Sequence, residues 1–494
     1  MKPILFAITF GSIFLFISCA PTKIEHSLTN REKFIQEVNY LVDDPELANA
    51  QVGLYIEALK DNETIYSHNE KKLFVPASNE KLYTTASALE LLDSTYQFKT
   101  EFYQSGKINA GVLDGNLIVR GMGDPSISGR FRDSDILAFF KDWADSLKAH
   151  GINEIDGDLI GNESFFSGNK LGYGWNWDDE PYWYSAQIGA LSFNDNCVDI
   201  TIKPGEKPGD NVVVTTNPVS EYFNILNTAT TISSDSNSTL RIDRTRGKNE
   251  IVITGGLPVS KRESSLSITI EDPASWFVTV LADVLIREGI SLKGHILTDD
   301  SNFNQNSPDS LSHIFTAYSK NLAQMVKVVN KGSHNFYAEQ IFKTLGAEIN
   351  KKGSARESSQ IISDWLAGIG VPDNLAISVD GSGLSRMNLV SPFSTAAILR
   401  HMYKSKNFKP FYDSLPIAGV DGTIKSRMKD TVAQGVVRAK TGYVRYVRSL
   451  SGYTTDRDGN DYLFVIMVNH YSVPTSYINN FQDKICILLT NYKE

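Results

Sequence analysis

Pro76-Ala77-Ser78-Asn79-Glu80-Lys81-Leu82-Tyr83-Thr84-Thr85-Ala86-Ser87-Ala88-Leu89 is the stretch on which the reading of this 494-residue chain depends. Leu82, Ala86 and Leu89 recur at i, i+4 and i+7, which predicts a helix opening at Ser78 and running to about Leu92. A serine in the first turn of a helix faces free backbone N–H groups and the positive end of the dipole, a setting that favours a developing oxyanion. Lys81, three residues on, shares its face. The plain structural reading makes Ser78 an N-cap and Lys81 a surface charge. A lysine in the first turn, however, opposes the helix dipole. A serine hydroxyl becomes a good nucleophile only when a base removes its proton. Lysine, with a reference pKa of about 10.4, can be that base only if burial and a second cation bring it to roughly 7. Lys440 is the candidate for that cation.

Two further motifs follow in order. Ser333-His334-Asn335 falls between expected helices at about 320–330 and 335–347, where a loop can present a hydroxyl and an amide to a cleft. Alone it reads as an ordinary helix cap. Lys440-Thr441-Gly442 closes a strand in which Val437 and Ala439 alternate with Arg438 and Lys440. Gly442 admits close backbone approach by a substrate, and Lys440 and Thr441 suit a carboxylate. A single Ser-x-x-Lys arises often by chance. The three motifs in this order and these settings form a specific set.

Around them, Met1-Lys2 and the apolar run Ile4–Ile17 read as a signal peptide (1–18), too short to span a bilayer comfortably. Ser18-Cys19-Ala20 resembles a lipobox, with Phe16 in place of the usual Leu, and makes Cys19 a candidate lipidated first residue. An ordinary signal peptide cut near Ser18 or Ala20 remains the alternative, and export follows from either. Residues 19–30 read as a polar tether, and a helix is expected over Arg31–Val42. Short alternating strands with Gly and Asn turns fill about 98–266, interrupted by one helix at Asp135–His150. Helices return at 273–288, 320–330, 335–347, 356–367 and 392–403. Three strands and a helix near 475–491 end the chain. The expected organisation is one α/β domain, 31–97 plus 267–494, split by a β-rich insert at 98–266 of one or two domains, read here as two subdomains.

With these residues in view, the sequence resembles the low-molecular-mass class C penicillin-binding proteins that act as D-alanyl-D-alanine carboxypeptidases and endopeptidases, in the subgroup with a large insertion after the active-site helix. Ser78 and Ser333 lie 255 positions apart, as that insertion requires. Gly121-Met-Gly-Asp-Pro-Ser, Asp380-Gly-Ser-Gly-Leu-Ser-Arg-Met-Asn and Leu415-Pro-Ile-Ala-Gly-Val-Asp-Gly-Thr are also similar to the family. The resemblance implies an α/β (α+β) penicillin-binding/β-lactamase-like transpeptidase fold acting on peptidoglycan stem peptides and inhibited covalently by β-lactams. It implies Ser78 as acylated nucleophile, Lys81 as base, Ser333 as proton relay and Asn335 in substrate binding. Lys440 and Thr441 would hold the terminal carboxylate, and the N–H groups of Ser78 and Tyr443 would form the oxyanion hole. Asp179, Tyr184 and Arg386 are similar to the positions that grip the diamino-acid side chain. His334, Tyr443 and Arg445 depart from the family pattern, in ways that bear on pH dependence, cleft width and side-chain preference.

A β-lactamase shares the three motifs, but no Glu-Pro-x-x-x-Asn-type loop is present to position a deacylating water. An inactive wall-binding scaffold would usually have lost Ser78, Lys81 or Lys440. The net charge of −9 and the scatter of basic residues argue against nucleic acid as a partner. Eight histidines show no His-Glu-x-x-His, so no metal or cofactor is expected. Besides Cys19, only Cys197 and Cys486 are present. Cys486 sits in an apolar helical stretch and reads as a core thiol, so no compulsory disulfide is implied.

Overall fold

The computed structural model describes residues 1, 3, 28–300 and 311–493. The expected signal peptide, Cys19 and most of the tether lie outside the described residues. Among those described, no helix is long and apolar enough to cross a membrane.

The organising element is a five-stranded antiparallel sheet in the order Glu63–His68, Gln51–Ala58, Asp461–Asn469, Val447–Thr455, Arg438–Val444. Its central strand explains its unbroken apolar run. Leu463, Val465 and Met467 face one hydrophobic cluster, and Phe464, Ile466 and Val468 face another. Side chains alternate across a strand, so a sheet covered on both faces needs apolar residues at every position. The terminal helices Asn30–Val42 and Thr475–Thr490 cover the second face through Phe34, Val38, Ile485 and Leu489. Cys486 lies in that layer, buried and free, as Cys197 is in the insert.

The helix Glu80–Leu92 forms the middle of the first face, ringed by Leu322–Gly332, Asn335–Ile349 and Pro392–Lys404. Residues 80–89 are all buried, so this helix is enclosed on every side rather than on one stripe. Its buried polar side chains find partners. Tyr83 Oη lies 2.7 Å from Ser394 Oγ and 2.8 Å from Thr395 Oγ1, and Thr84 Oγ1 donates to the Gly381 carbonyl.

The insert begins with strand Gln97–Gln104, which belongs to a second sheet ordered Ile296–Thr298, Leu159–Asn162, Leu117–Gly121, Gln97–Gln104, Ser312–Asn321. This corrects the expected boundary at 266/267. Helix Pro273–Arg287 buries Trp276, Phe277 and Leu281 in the same cluster as Leu159, Phe193 and Ile200. Strand Ser312–Asn321 pairs antiparallel with Gln97–Gln104. The elements as far as Asn321 therefore share the insert's core. Helical periodicity located 273–288 correctly but carries no information on which core its apolar face joins.

Candidate active site

Ser78 does not sit in the first turn of the α-helix, as expected. Ala77–Asn79 forms a separate 3-10 turn, and the α-helix starts at Glu80. Ala77 holds a left-handed φ of 47°, an uncommon conformation for a residue with a Cβ. Three neighbours fix this turn. Ser449 Oγ donates to Pro76 O at 2.7 Å, and Asn79 Nδ2 donates to Ser451 Oγ at 2.6 Å. Gly383 (φ 78°) lies so close that a Cβ there would be 1.9 Å from Ala77 O.

Lys81 is fully buried. Its Nζ lies 3.0 Å from Ser78 Oγ, 2.7 Å from Asn335 Oδ1 and 2.6 Å from the Ser382 carbonyl. Burial pulls its pKa from 10.5 to about 7, against the opposing charges of Asp380, Glu339 and Glu80. Burial, one of the two causes expected, is the largest. Desolvation does the lowering, and three carboxylates oppose it. It is Lys440 that is held well below its ordinary value, first by its own burial and then by the charge of Lys81.

Lys440 Nζ donates to Ser333 Oγ and to Thr441 O, both at 2.8 Å. Ser333 reaches it from the left-handed C-cap of helix Leu322–Gly332 (φ 56°). Thr441 Oγ1 lies 2.8 Å from Thr423 Oγ1. Gly442 makes a close contact within the protein that a side chain would block. A Cβ there would stand 2.0 Å from Ser449 Oγ and 2.5 Å from Pro76 O. Ser78, Lys81, Ser333, Asn335, Lys440, Thr441 and Gly442 thus meet where the buried helix, the loop after Gly332 and the edge strand Arg438–Val444 converge.

Tyr443, next on that strand, is half exposed, with the Arg448 guanidinium 5.3 Å from its ring centre. Asn335 Nδ2 donates to the Tyr184 carbonyl at 2.8 Å, tying the insert to the second motif. Tyr184 Oη donates to Asp179 Oδ1 at 2.8 Å, and Asn176 Nδ2 to Asp179 Oδ2 at 3.0 Å. Arg386 donates to the Arg445 carbonyl at 2.6 Å, and the Arg445 side chain lies over the Tyr446 ring.

Sequence reasoning singled out His334 but missed the groups that it meets, Arg130 and Asp195. His334 Nε2 lies 3.0 Å from an Arg130 guanidinium nitrogen and 3.2 Å from Asp195 Oδ2, with its ring between Trp183 and Tyr337. Asn194, Asp195 and Asn196 deliver that carboxylate from three consecutive left-handed residues (φ 50°, 56°, 56°). Asn and Asp tolerate that conformation best, so the Asn-Asp-Asn triplet was the available signal. Glu339 was also missed, although it stands four residues after Asn335, one turn along the same buried helix.

A neutral amine accepts a proton and an ammonium does not. Acylation of Ser78 is therefore expected to rise with pH through an acid limb near pH 7, the value to which burial brings Lys81. Stopped-flow acylation measured from pH 5 to pH 9 checks this. A limb near 10 would mean that Lys81 is not desolvated in solution.

A buried Ser-x-x-Lys pair, a Ser-x-Asn loop and a Lys-Thr-Gly edge strand on this two-faced sheet define the penicillin-binding class of serine peptidases. The chain belongs to the D-Ala-D-Ala carboxypeptidase 3 (S13) family, which it matches over residues 34–492. It is 30% identical over 488 residues to the D-alanyl-D-alanine carboxypeptidase of Actinomadura sp. (strain R39), covering 96% of this chain and 88% of that one. It is 29% identical to the D-alanyl-D-alanine carboxypeptidase DacB of Haemophilus influenzae over 87% of each chain. The crystal structure of penicillin binding protein 4 from Haemophilus influenzae superposes with a TM-score of 0.79 at 26% identity, covering 92% of this chain and 99% of that one.

Proposed function

We propose that this chain is a serine D-Ala-D-Ala carboxypeptidase and endopeptidase that works on peptidoglycan stem peptides through an acyl-enzyme on Ser78. The observation that carries this reading is the setting of Lys81. Its amine lies 3.0 Å from Ser78 Oγ, and burial pulls its pKa down to about 7. A neutral amine has two N–H bonds and one lone pair. Asn335 Oδ1 and the Ser382 carbonyl accept the two N–H bonds, which leaves the lone pair for the Ser78 hydroxyl.

In the forward step Lys81 takes the Ser78 proton as Oγ attacks the carbonyl of the penultimate D-alanine. The N–H groups of Ser78 and Tyr443 stabilise the resulting oxyanion. On collapse the C–N bond breaks, and the departing amine takes a proton through Ser333, which Lys440 orients. Water then hydrolyses the ester. Lys440 and Thr441 bind the terminal carboxylate, and Asp179, Tyr184 and Arg386 bind the ionic end of the diamino acid. A β-lactam would follow the same first step, but its leaving amine stays tethered, so the acyl-enzyme persists. The reading includes export and anchoring through a lipid on Cys19.

Incubation with a stem pentapeptide ending in D-Ala-D-Ala is expected to release D-alanine, and incubation with a cross-linked dimer to release monomers. Failure to cleave either substrate would overturn the reading. Rapid turnover of penicillin with neither peptide cleaved would instead indicate a β-lactamase.

A further inference from the structure

Two of the three acceptors around the Lys81 amine are set by one face of one helix. Asn335, at the start of helix Asn335–Ile349, supplies Oδ1 directly. Glu339, one turn later on the same face, never touches the amine in the hydrogen-bond network but holds the third acceptor in place. Its Oε1 accepts from the Ser382 N–H at 2.8 Å and from the Gly381 N–H at 3.1 Å, and its Oε2 accepts from Gly381 at 3.1 Å. The carbonyl of that same Ser382 accepts from Lys81 Nζ at 2.6 Å. Glu339 is nearly fully buried.

The Gly381–Ser385 segment has little freedom elsewhere. Asp380 closes it by accepting from the N–H groups of Gly383 (2.8 Å) and Ser385 (2.7 Å), while Trp175 Nε1 and Asn388 Nδ2 hold the same carboxylate. At its tip, Gly383 abuts Ala77, the residue before the nucleophile. Two buried carboxylates thus clamp the loop that offers the Ser382 carbonyl to Lys81.

We infer that Glu339 is a positioning residue for acylation: by fixing the Ser382 backbone it keeps the Lys81 lone pair aimed at Ser78 Oγ. This inference rests on the proposed role of Lys81 as base. Without Glu339 two buried N–H groups lose their acceptor and the loop relaxes to satisfy them. The amine then has one fixed acceptor, Asn335, and its lone pair turns away from the serine. The protonated amine loses an acceptor as well. It holds its proton less tightly, whatever the charge on Glu339. Glu80, Glu339 and Asp380 are the carboxylates that act on Lys81, and Lys440 is the cation that shares its surroundings.

Glu339→Gln tests this. The amide keeps the volume and can still accept one N–H, but its NH2 group meets a donor. With a β-lactam that acylates the wild type on Ser78, the first-order acylation step at pH 8 is expected to slow about 30-fold while the binding constant for the encounter complex stays within about twofold. The acid limb is expected to move to lower pH. An acylation step within about threefold of wild type with an unmoved limb would overturn the inference. A parallel loss of binding and acylation with the limb unmoved would also overturn it, since that marks a loosened fold. If Glu339→Gln shows no cooperative melting transition, Glu339→Asp, one methylene short, decides by the same two readouts and in the same directions. A wild type that forms no adduct on Ser78 would strike the nucleophile assignment instead.

Discussion

Lys81→Met is expected to lower the rate of Ser78 acylation by about 10³-fold, within the range that general-base removal usually costs. Methionine preserves the length and apolar bulk of the stem, so the enclosed helix Glu80–Leu92 keeps its packing. What disappears is the group 3.0 Å from Ser78 Oγ that can take its proton. The change has a second, measurable consequence. The charge of Lys81 is one of the causes that hold Lys440 down, so in the variant the Lys440 amine titrates at higher pH than in the wild type. The same charge pulls Glu80 down against the burial that raises it, so the Glu80 carboxyl titrates still higher once the lysine is gone. Stopped-flow fluorescence with a labelled penicillin measures the rate. A loss of less than about tenfold would show that another group takes the proton.

Gly442→Val is expected to cost at least 10²-fold in acylation and about 1–3 kcal/mol in stability. The reason is steric and local. At Gly442 the edge strand presses onto the Ala77–Asn79 turn, with its Cβ position 2.0 Å from Ser449 Oγ and 2.5 Å from Pro76 O. A branched side chain forces the strand outward and breaks the 2.7 Å bond from Ser449 to Pro76 that holds the turn. Ser78 and the Lys440–Thr441 segment then separate, although neither has been altered. Urea denaturation and the acylation rate check the two parts separately. Unchanged acylation would mean that the strand and the turn can move apart without consequence.

The sequence exposed the parts of this site that depend on residue type. Ser78, Lys81, Ser333, Asn335 and Lys440 carry the functional groups themselves, and their motifs stand out because helix periodicity and strand alternation locate them. The parts that depend on long-range packing were hidden. Nothing local in Asp380-Gly-Ser-Gly says that the Ser382 carbonyl meets a lysine 301 positions earlier. Nothing in Gly442 says that its backbone presses on the protein's own turn at Pro76. The boundary of the insert failed for the same reason. Strand Ser312–Asn321 finds its partner in Gln97–Gln104, more than 200 positions back, and its apolar residues alone name no partner. Lys81 shows the limit for electrostatics. Its depression was expected from burial and a neighbouring cation; burial is the largest cause, and the carboxylates that oppose it were not anticipated.

The most direct measurement is peptide mapping by mass spectrometry after brief incubation with benzylpenicillin. A single adduct with the mass of the intact drug is expected on the peptide containing Ser78, absent in Ser78→Ala. An unmodified Ser78, or an adduct on any other residue, would contradict the assignment of Ser78 and Lys81 as nucleophile and base.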